Sequence, residues 1–293
     1  MAFPIPRTLF EPEHEQFRES LGRFLEAEVL PNLGRYEAQG FIDREVWRKG
    51  GAAGFLCPTM PEEYGGAGAD RRYSVVVFEE TARRGAVGLL GWSLHSDIVA
   101  PYLLHYGAEE VKRAWLPRMA TGEAIGAIAM TEPGAGSDLQ SIATRAVRDG
   151  DHYRLSGSKT FITNGWHCDL VVVAAKTDPA QGARGTSLFV VDTASPGFTK
   201  GRPLEKVGLK AQDTAELFMD DVRVPAANRL GEEGRGFACL MQELPWERLQ
   251  IAITAVALAG GVLEETIAYR RDRQAFGKPP LDFQNKRFAP ARG

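Results

Sequence analysis

A chain of 293 residues is long enough for two or three structural units around a sizeable core, and its 44% apolar and 25% charged residues are an ordinary soluble composition. The net charge of −3, from 35 basic and 38 acidic residues, provides no global basic field for nucleic acid or an anionic membrane. Cys57, Cys168 and Cys239 form no CxxC pair, which argues for reduced thiols and against a zinc site, so no metal is expected. The opening Met1-Ala2-Phe3-Pro4-Ile5-Pro6-Arg7 has no long apolar h-region, and no uninterrupted apolar run approaches ~18 residues. These features predict a cytoplasmic chain without a membrane span.

In chain order, Phe17, Leu21, Phe24, Leu25 and Val29 recur at helical spacing until Pro31 closes the run. Helical patterns return at 44–49, 73–84, 93–106 and 109–119, separated by glycine-rich breaks. After Gly126 the period changes. Residues 143–148 and 152–155 flank Asp149-Gly150-Asp151 as a strand–turn–strand, and 159–163, 170–176, 187–191 and 215–220 continue as short strands. A polar connector covers 178–186. Helix resumes after Pro245, which reads as a first helical position, and 249–263 is apolar nearly all round, as for a helix inside a bundle.

The stretch richest in chemistry is Ala129-Met130-Thr131-Glu132-Pro133-Gly134-Ala135-Gly136-Ser137-Asp138, followed by Phe161-Ile162-Thr163-Asn164-Gly165. Glycines let backbone N–H groups approach a bulky ligand, and Thr131 and Ser137 can donate hydrogen bonds to it. The spacing is not the GxGxxG of a βαβ unit. Later comes Glu243-Leu244-Pro245-Trp246-Glu247-Arg248-Leu249, where Glu247 falls in the first helical turn and would serve the helix dipole unless apolar neighbours such as Trp246 desolvate it. His95 and Asp97 read as a hydrogen-bonded pair inside the helical region.

At these residues the chain resembles the acyl-CoA dehydrogenase family, nearest to its long-chain and isovaleryl types. The resemblance runs from about residue 10 to residue 288. It implies an α+β fold: an N-terminal α-helical domain over 1–122, a middle β-barrel domain over 123–232, and an incomplete C-terminal helical bundle over 233–293. Family members continue beyond this point, so the chain is expected to be C-terminally truncated or frame-shifted, with Ala289-Pro290-Ala291-Arg292-Gly293 already leaving the pattern.

The resemblance implies FAD as cofactor, an acyl-CoA thioester as substrate, an electron-transfer flavoprotein as redox partner, and a homo-oligomer, dimer or tetramer. It makes Glu247 the base that removes the α-proton. Flavin contacts fall on Ile128, Ala129, Met130, Thr131, Gly136, Ser137, Phe161, Ile162 and Thr163, with Thr163 at the reactive edge and Phe161 or Trp166 over a ring face. Arg273 and Gln284 match positions that hold the FAD diphosphate and adenine of a neighbouring subunit. Ser137, Ala183, Arg184, Pro245 and Arg248 fall near the bound acyl-CoA, and Ala238 replaces an aromatic residue of near relatives. The alternatives are a flavin oxidase or hydroxylase of the same superfamily, told apart by rapid oxygen consumption, and a non-catalytic remnant or interaction subunit.

Overall fold

The computed structural model describes residues 7–288 and Pro290. The opening residues 1–6, and 289 and 291–293 of the C-terminal tail, lie outside the described residues.

Among the described residues, seven α-helices form the first part: α1 Pro12–Phe24, α2 Leu33–Gln39, α3 Arg44–Ala52, α4 Arg71–Arg83, α5 Leu90–Leu94, α6 Ala100–Tyr106 and α7 Glu109–Ala120. Two of the predicted long helices are not uniform. A π-helical segment, Leu25–Val29, prolongs α1, and another, His95–Val99, joins α5 to α6. Leu21, Leu25, Val29, Tyr36, Trp47 and Trp92 close one core among these helices.

The sheet comprises β1 Gly126–Ala129, β2 Arg145–Asp149, β3 His152–Thr163, β4 Leu170–Lys176, β5 Thr186–Asp192, β6 Phe198–Lys200, β7 Thr214–Pro225 and β8 Arg229–Leu230. Its order is β6-β7-β3-β2-β4-β5-β8, with β1 added parallel to β4. The middle unit is β as expected, and its sheet is open, since β6 and β8 stand at opposite ends and are not joined. Asp149 pairs with His152, so the hairpin loop is Gly150-Asp151, with Gly150 at φ 63°. Val171, Val173 and Ala175 of β4 enter the core inside the sheet, while Leu170, Val172 and Ala174 pack on the helices. Burial on both faces explains why β4 reads as one continuous apolar run.

Asn164 fastens sheet to helices. At φ 62°, its Nδ2 donates to the carbonyls of Gly91 (2.9 Å) and Gly126 (3.1 Å). A Cβ on Gly91 would lie 2.2 Å from the Asn164 amide oxygen, so the helix must present a glycine there. Asn164→Ala removes both buried bonds and leaves a left-handed backbone that alanine resists. It is expected to cost about 2 kcal/mol or more in chemical unfolding.

The last long helix, α8, runs from Gly236 to Asp272, and a short α9, Gln284–Phe288, follows. Pro245 lies inside α8 and does not begin it. Cys239 and Leu240 bury in the core shared by sheet and helices, and that burial carries the helix through a proline whose cost is about 3 kcal/mol. Further along, α8 lies on α4: a Cβ on Gly261 would meet the Arg83 carbonyl oxygen at 2.2 Å, and Arg83 pairs with Glu264 at 2.5 Å. By length and composition alone α8 is apolar enough to cross a membrane, although polar and charged residues interrupt its apolar runs. Ile251, Val256 and Val262 are exposed along it.

Candidate active site

The Gly-rich loop leaves β1 and is moored from below. Thr131 accepts a bond through its carbonyl from the Thr160 amide at 3.0 Å, and the Glu132–Ala135 turn closes by reciprocal backbone bonds. The Glu132 carboxylate turns inward and accepts from Lys159 Nζ (2.8 Å) and from the amides of Ala143 (2.6 Å) and Thr144 (3.0 Å). Lys159, with no exposed side-chain surface, also donates to the Met130 carbonyl at 3.1 Å. Burial lowers the Lys159 pKa to about 8; for Glu132 the same burial is overcome by Lys159 and the amides, which hold its carboxyl below the ordinary range. Neither residue was singled out from sequence, where Lys159 was only the first residue of the short strand read over 159–163.

With Glu132 inside, the loop turns Gly136 and Ser137 to solvent and leaves Thr131 half-buried. Beside it, β3 breaks register against β7 between Lys159 and Ile162, and within that bulge Phe161 takes φ 58° and stands 69% exposed. Trp166 is also exposed. Thr163 Oγ1 accepts from Gln212 Nε2 at 3.1 Å. An exposed ring, a hydroxyl-bearing glycine loop and a fixed threonine fit a flat aromatic ligand with a hydrogen-bonding edge. Ile128, Ala129 and Ile162 point their side chains into the two cores, so they can meet such a ligand only through their backbone.

Glu247 lies in the interior of α8, and the expectation that it occupies a first turn is corrected: no N-terminal dipole acts on it. Tyr102 of α6 donates its hydroxyl to Glu247 Oε1 at 3.0 Å. Burial pushes the Glu247 carboxyl above its ordinary value; the Tyr102 bond opposes this, and Glu243, one turn away, adds to the rise. Burial likewise holds the Tyr102 phenol above its usual value. Glu243 is held by His105 Nδ1 (2.8 Å) and Tyr106 Oη (2.9 Å). Trp246 packs near Phe78 and carries the Arg71 guanidinium 4.5 Å above its ring. Met130 of the loop packs against the core that contains Tyr102 and Leu240, which brings the loop and the Glu247 region to one body of side chains.

Other expected residues stand apart. Ala183 and Arg184 sit on a 3₁₀ segment, Pro179–Gly185, with Arg184 exposed, and Pro245 and Arg248 are exposed on α8. Arg273, 6.0 Å above the Tyr269 ring, and Gln284, at the start of α9, are exposed beyond the helix end and are not brought to the loop. His95 and Asp97 do not pair, contrary to expectation. The π-helical turn aims His95 at the Met119 carbonyl and the Gly126 amide, both 3.0 Å away, and burial lowers its pKa to about 4. Burial raises Asp97 to about 7 beside Ser74. Cys57 and Cys168 are buried and pushed up to about 12, which removes them as nucleophiles. A groove of about 610 Å3 between α1, α4 and α8, lined by Arg18, Glu79, Arg83, Val256 and Glu264, shares no residue with this site.

Three profiles match the chain: "Acyl-CoA dehydrogenase, N-terminal domain" over residues 11–123, the "middle domain" over 127–222 and the "C-terminal domain" over 234–292. The third match carries the family pattern past residue 288, into the tail that was expected to leave it. The mitochondrial long-chain specific acyl-CoA dehydrogenase of Sus scrofa is 51% identical over 280 residues, covering 95% of this chain and 65% of the relative. The mitochondrial isovaleryl-CoA dehydrogenase of Pongo abelii is 40% identical over 277 residues, covering 93% and 65%. Among solved structures, an acyl-CoA dehydrogenase from Geobacillus kaustophilus overlays with TM-score 0.95 at 53% identity, covering 98% of this chain and 76% of that one. A glutaryl-CoA dehydrogenase from Mycobacterium smegmatis in complex with FADH2 overlays with TM-score 0.87 at 31% identity, covering 97% and 72%. The chain belongs to the acyl-CoA dehydrogenase family. It spans about 65% of the length of these two curated relatives.

Proposed function

We propose that the chain acts in the FAD-dependent α,β-dehydrogenation of an acyl-CoA thioester to the trans-2-enoyl-CoA, with Glu247 as the base. The observation that carries this reading is a half-buried carboxylate inside α8, raised in pKa by burial and oriented by a tyrosine. A base for a weakly acidic α-proton needs that desolvation. Removing a proton from Cα and a hydride from Cβ leaves a double bond, and FAD, when bound, accepts the hydride that no side chain can take. Thr131, Gly136, Ser137 and Thr163 would hold the flavin edge, Phe161 or Trp166 would cover its ring, and Ser137 and Arg248 would meet the thioester and its CoA. Arg273 and Gln284 would serve a neighbouring subunit's FAD in a homo-oligomer. An electron-transfer flavoprotein is the proposed electron acceptor. A reducing compartment, cytoplasmic or mitochondrial as in the named relatives, suits three buried free cysteines.

The exposed Ile251, Val256 and Val262 on α8 favour a second reading, an interaction subunit that works only when another surface covers this side. The chain, purified and mixed with FAD, distinguishes the two by its visible spectrum and solution mass. A yellow, discrete oligomer that bleaches anaerobically on adding an acyl-CoA supports the dehydrogenase; a colourless, aggregating protein supports the second reading.

A further inference from the structure

We infer that Tyr102 is a positioning residue for Glu247: its buried hydroxyl occupies one carboxylate oxygen and thereby reserves the other for the substrate's α-proton. The inference rests on the proposed role of Glu247 and adds to it a residue on a different element, 145 positions earlier in the chain.

Tyr102 is fully buried on α6, within the core that also contains Leu116, Met119 and Leu240. Its ring cannot swing without disturbing that packing, so the position of its oxygen is set by the core. The bond reaches Glu247 Oε1 at 3.0 Å, an ordinary length for a phenol donating to a carboxylate. Because the phenol is itself held above its usual pKa, it remains a donor throughout the working range. A fixed donor does two things to a carboxyl. It selects one rotamer, since a Glu in a helix has several and only some reach across to α6. It also stabilises the ionised form, the form that accepts a proton.

The groups facing this carboxyl are Tyr102 on α6 and Glu243 and Arg248 on its own helix. Behind Glu243 stand His105 and Tyr106 of α6 and Arg71 of α4, whose bonds and charge outweigh its burial and hold its carboxyl below the ordinary range. Glu243 therefore repels the Glu247 carboxylate, Tyr102 offsets that repulsion, and burial sets the sign. The net displacement is upward. Removing the Tyr102 hydroxyl removes a lowering influence, so the Glu247 pKa must rise further, and the acid limb of the rate profile must move to higher pH.

The test is Tyr102→Phe in the whole chain, with the Glu247 carboxyl followed by carbon-13 NMR after selective glutamate labelling. The resonance is assigned by its disappearance in Glu247→Gln. A second variant places a monofluorinated tyrosine at the same position, which keeps the ring and strengthens the donor. The expected result is a titration shifted upward in Tyr102→Phe and downward with the fluorinated ring. Acyl-CoA-dependent flavin reduction in Tyr102→Phe should fall roughly threefold to tenfold below the carboxyl pKa and recover only in part as pH rises, the remaining loss being that of the selected rotamer, with KM little changed. A merely structural role would lower the rate equally at every pH and leave the titration in place. An unshifted titration in both variants overturns the inference. If the titrations shift as described but Glu247→Gln still reduces flavin normally, the proposed base is wrong while the Tyr102 contact stands.

Discussion

Glu247→Gln is expected to slow the reduction of bound flavin by an acyl-CoA at least about 10³-fold while leaving the yellow, flavin-bound protein intact. Glutamine keeps the size of the side chain and can still accept the Tyr102 bond at 3.0 Å through its amide oxygen, so the local packing survives. What disappears is the only function a carboxylate adds here, the capacity to take a proton from carbon. The pH dependence follows the same logic. A carboxyl raised by burial is protonated, and inert as a base, over a wider acid range than an exposed glutamate, so wild-type reduction should climb as pH rises through the Glu247 pKa. In the glutamine variant that climb should vanish with the rate. Stopped-flow bleaching of the flavin measures both, and near-normal reduction by the variant would refute the assignment.

The second large effect concerns the mooring of the loop. Lys159→Met leaves the Glu132 carboxylate buried with two backbone amides and no countercharge, at a cost of about 3–5 kcal/mol in urea unfolding. The same change frees the Met130 carbonyl, so the segment carrying Thr131, Gly136 and Ser137 loses its underside and flavin affinity should fall with stability. Pairing Lys159→Met with Glu132→Leu removes both charges, and most of the lost stability should return, because apolar residues can replace a buried ion pair at little net cost. Equal destabilisation in the single and double variants would show that the pair is not what holds the loop.

The division into helices, sheet and helices was legible from the change in apolar spacing, and the runs at 170–176 and 73–84 lie close to β4 and α4. Local signals were less reliable where tertiary burial outweighed them. Pro245 carries a strong helix-start signal, yet Cys239 and Leu240 are buried upstream of it and α8 continues through. Short strands such as β1 and β8 gave no period to read: their few residues owe their conformation to the neighbours they pair with. The Gly-rich loop and Glu247 could be singled out because their residue types carry chemistry. Lys159, Glu132 and Tyr102 could not, because their meaning is a partner 27 or 145 residues away, and only the folded chain brings those partners together.

The π-helical segment His95–Val99 has a consequence for Tyr102 that concerns phase more than chemistry. One residue more per turn rotates everything downstream by about 100° around the helix axis. His95 can therefore point toward α7 and β1 while Tyr102, a short way along, points toward α8. Deleting a single residue from the wider turn would keep every side chain named here and yet turn Tyr102 away from Glu247. The carboxylate's partner is thus specified by a count of residues as much as by their identity, and this stretch should tolerate substitution far better than a change in length.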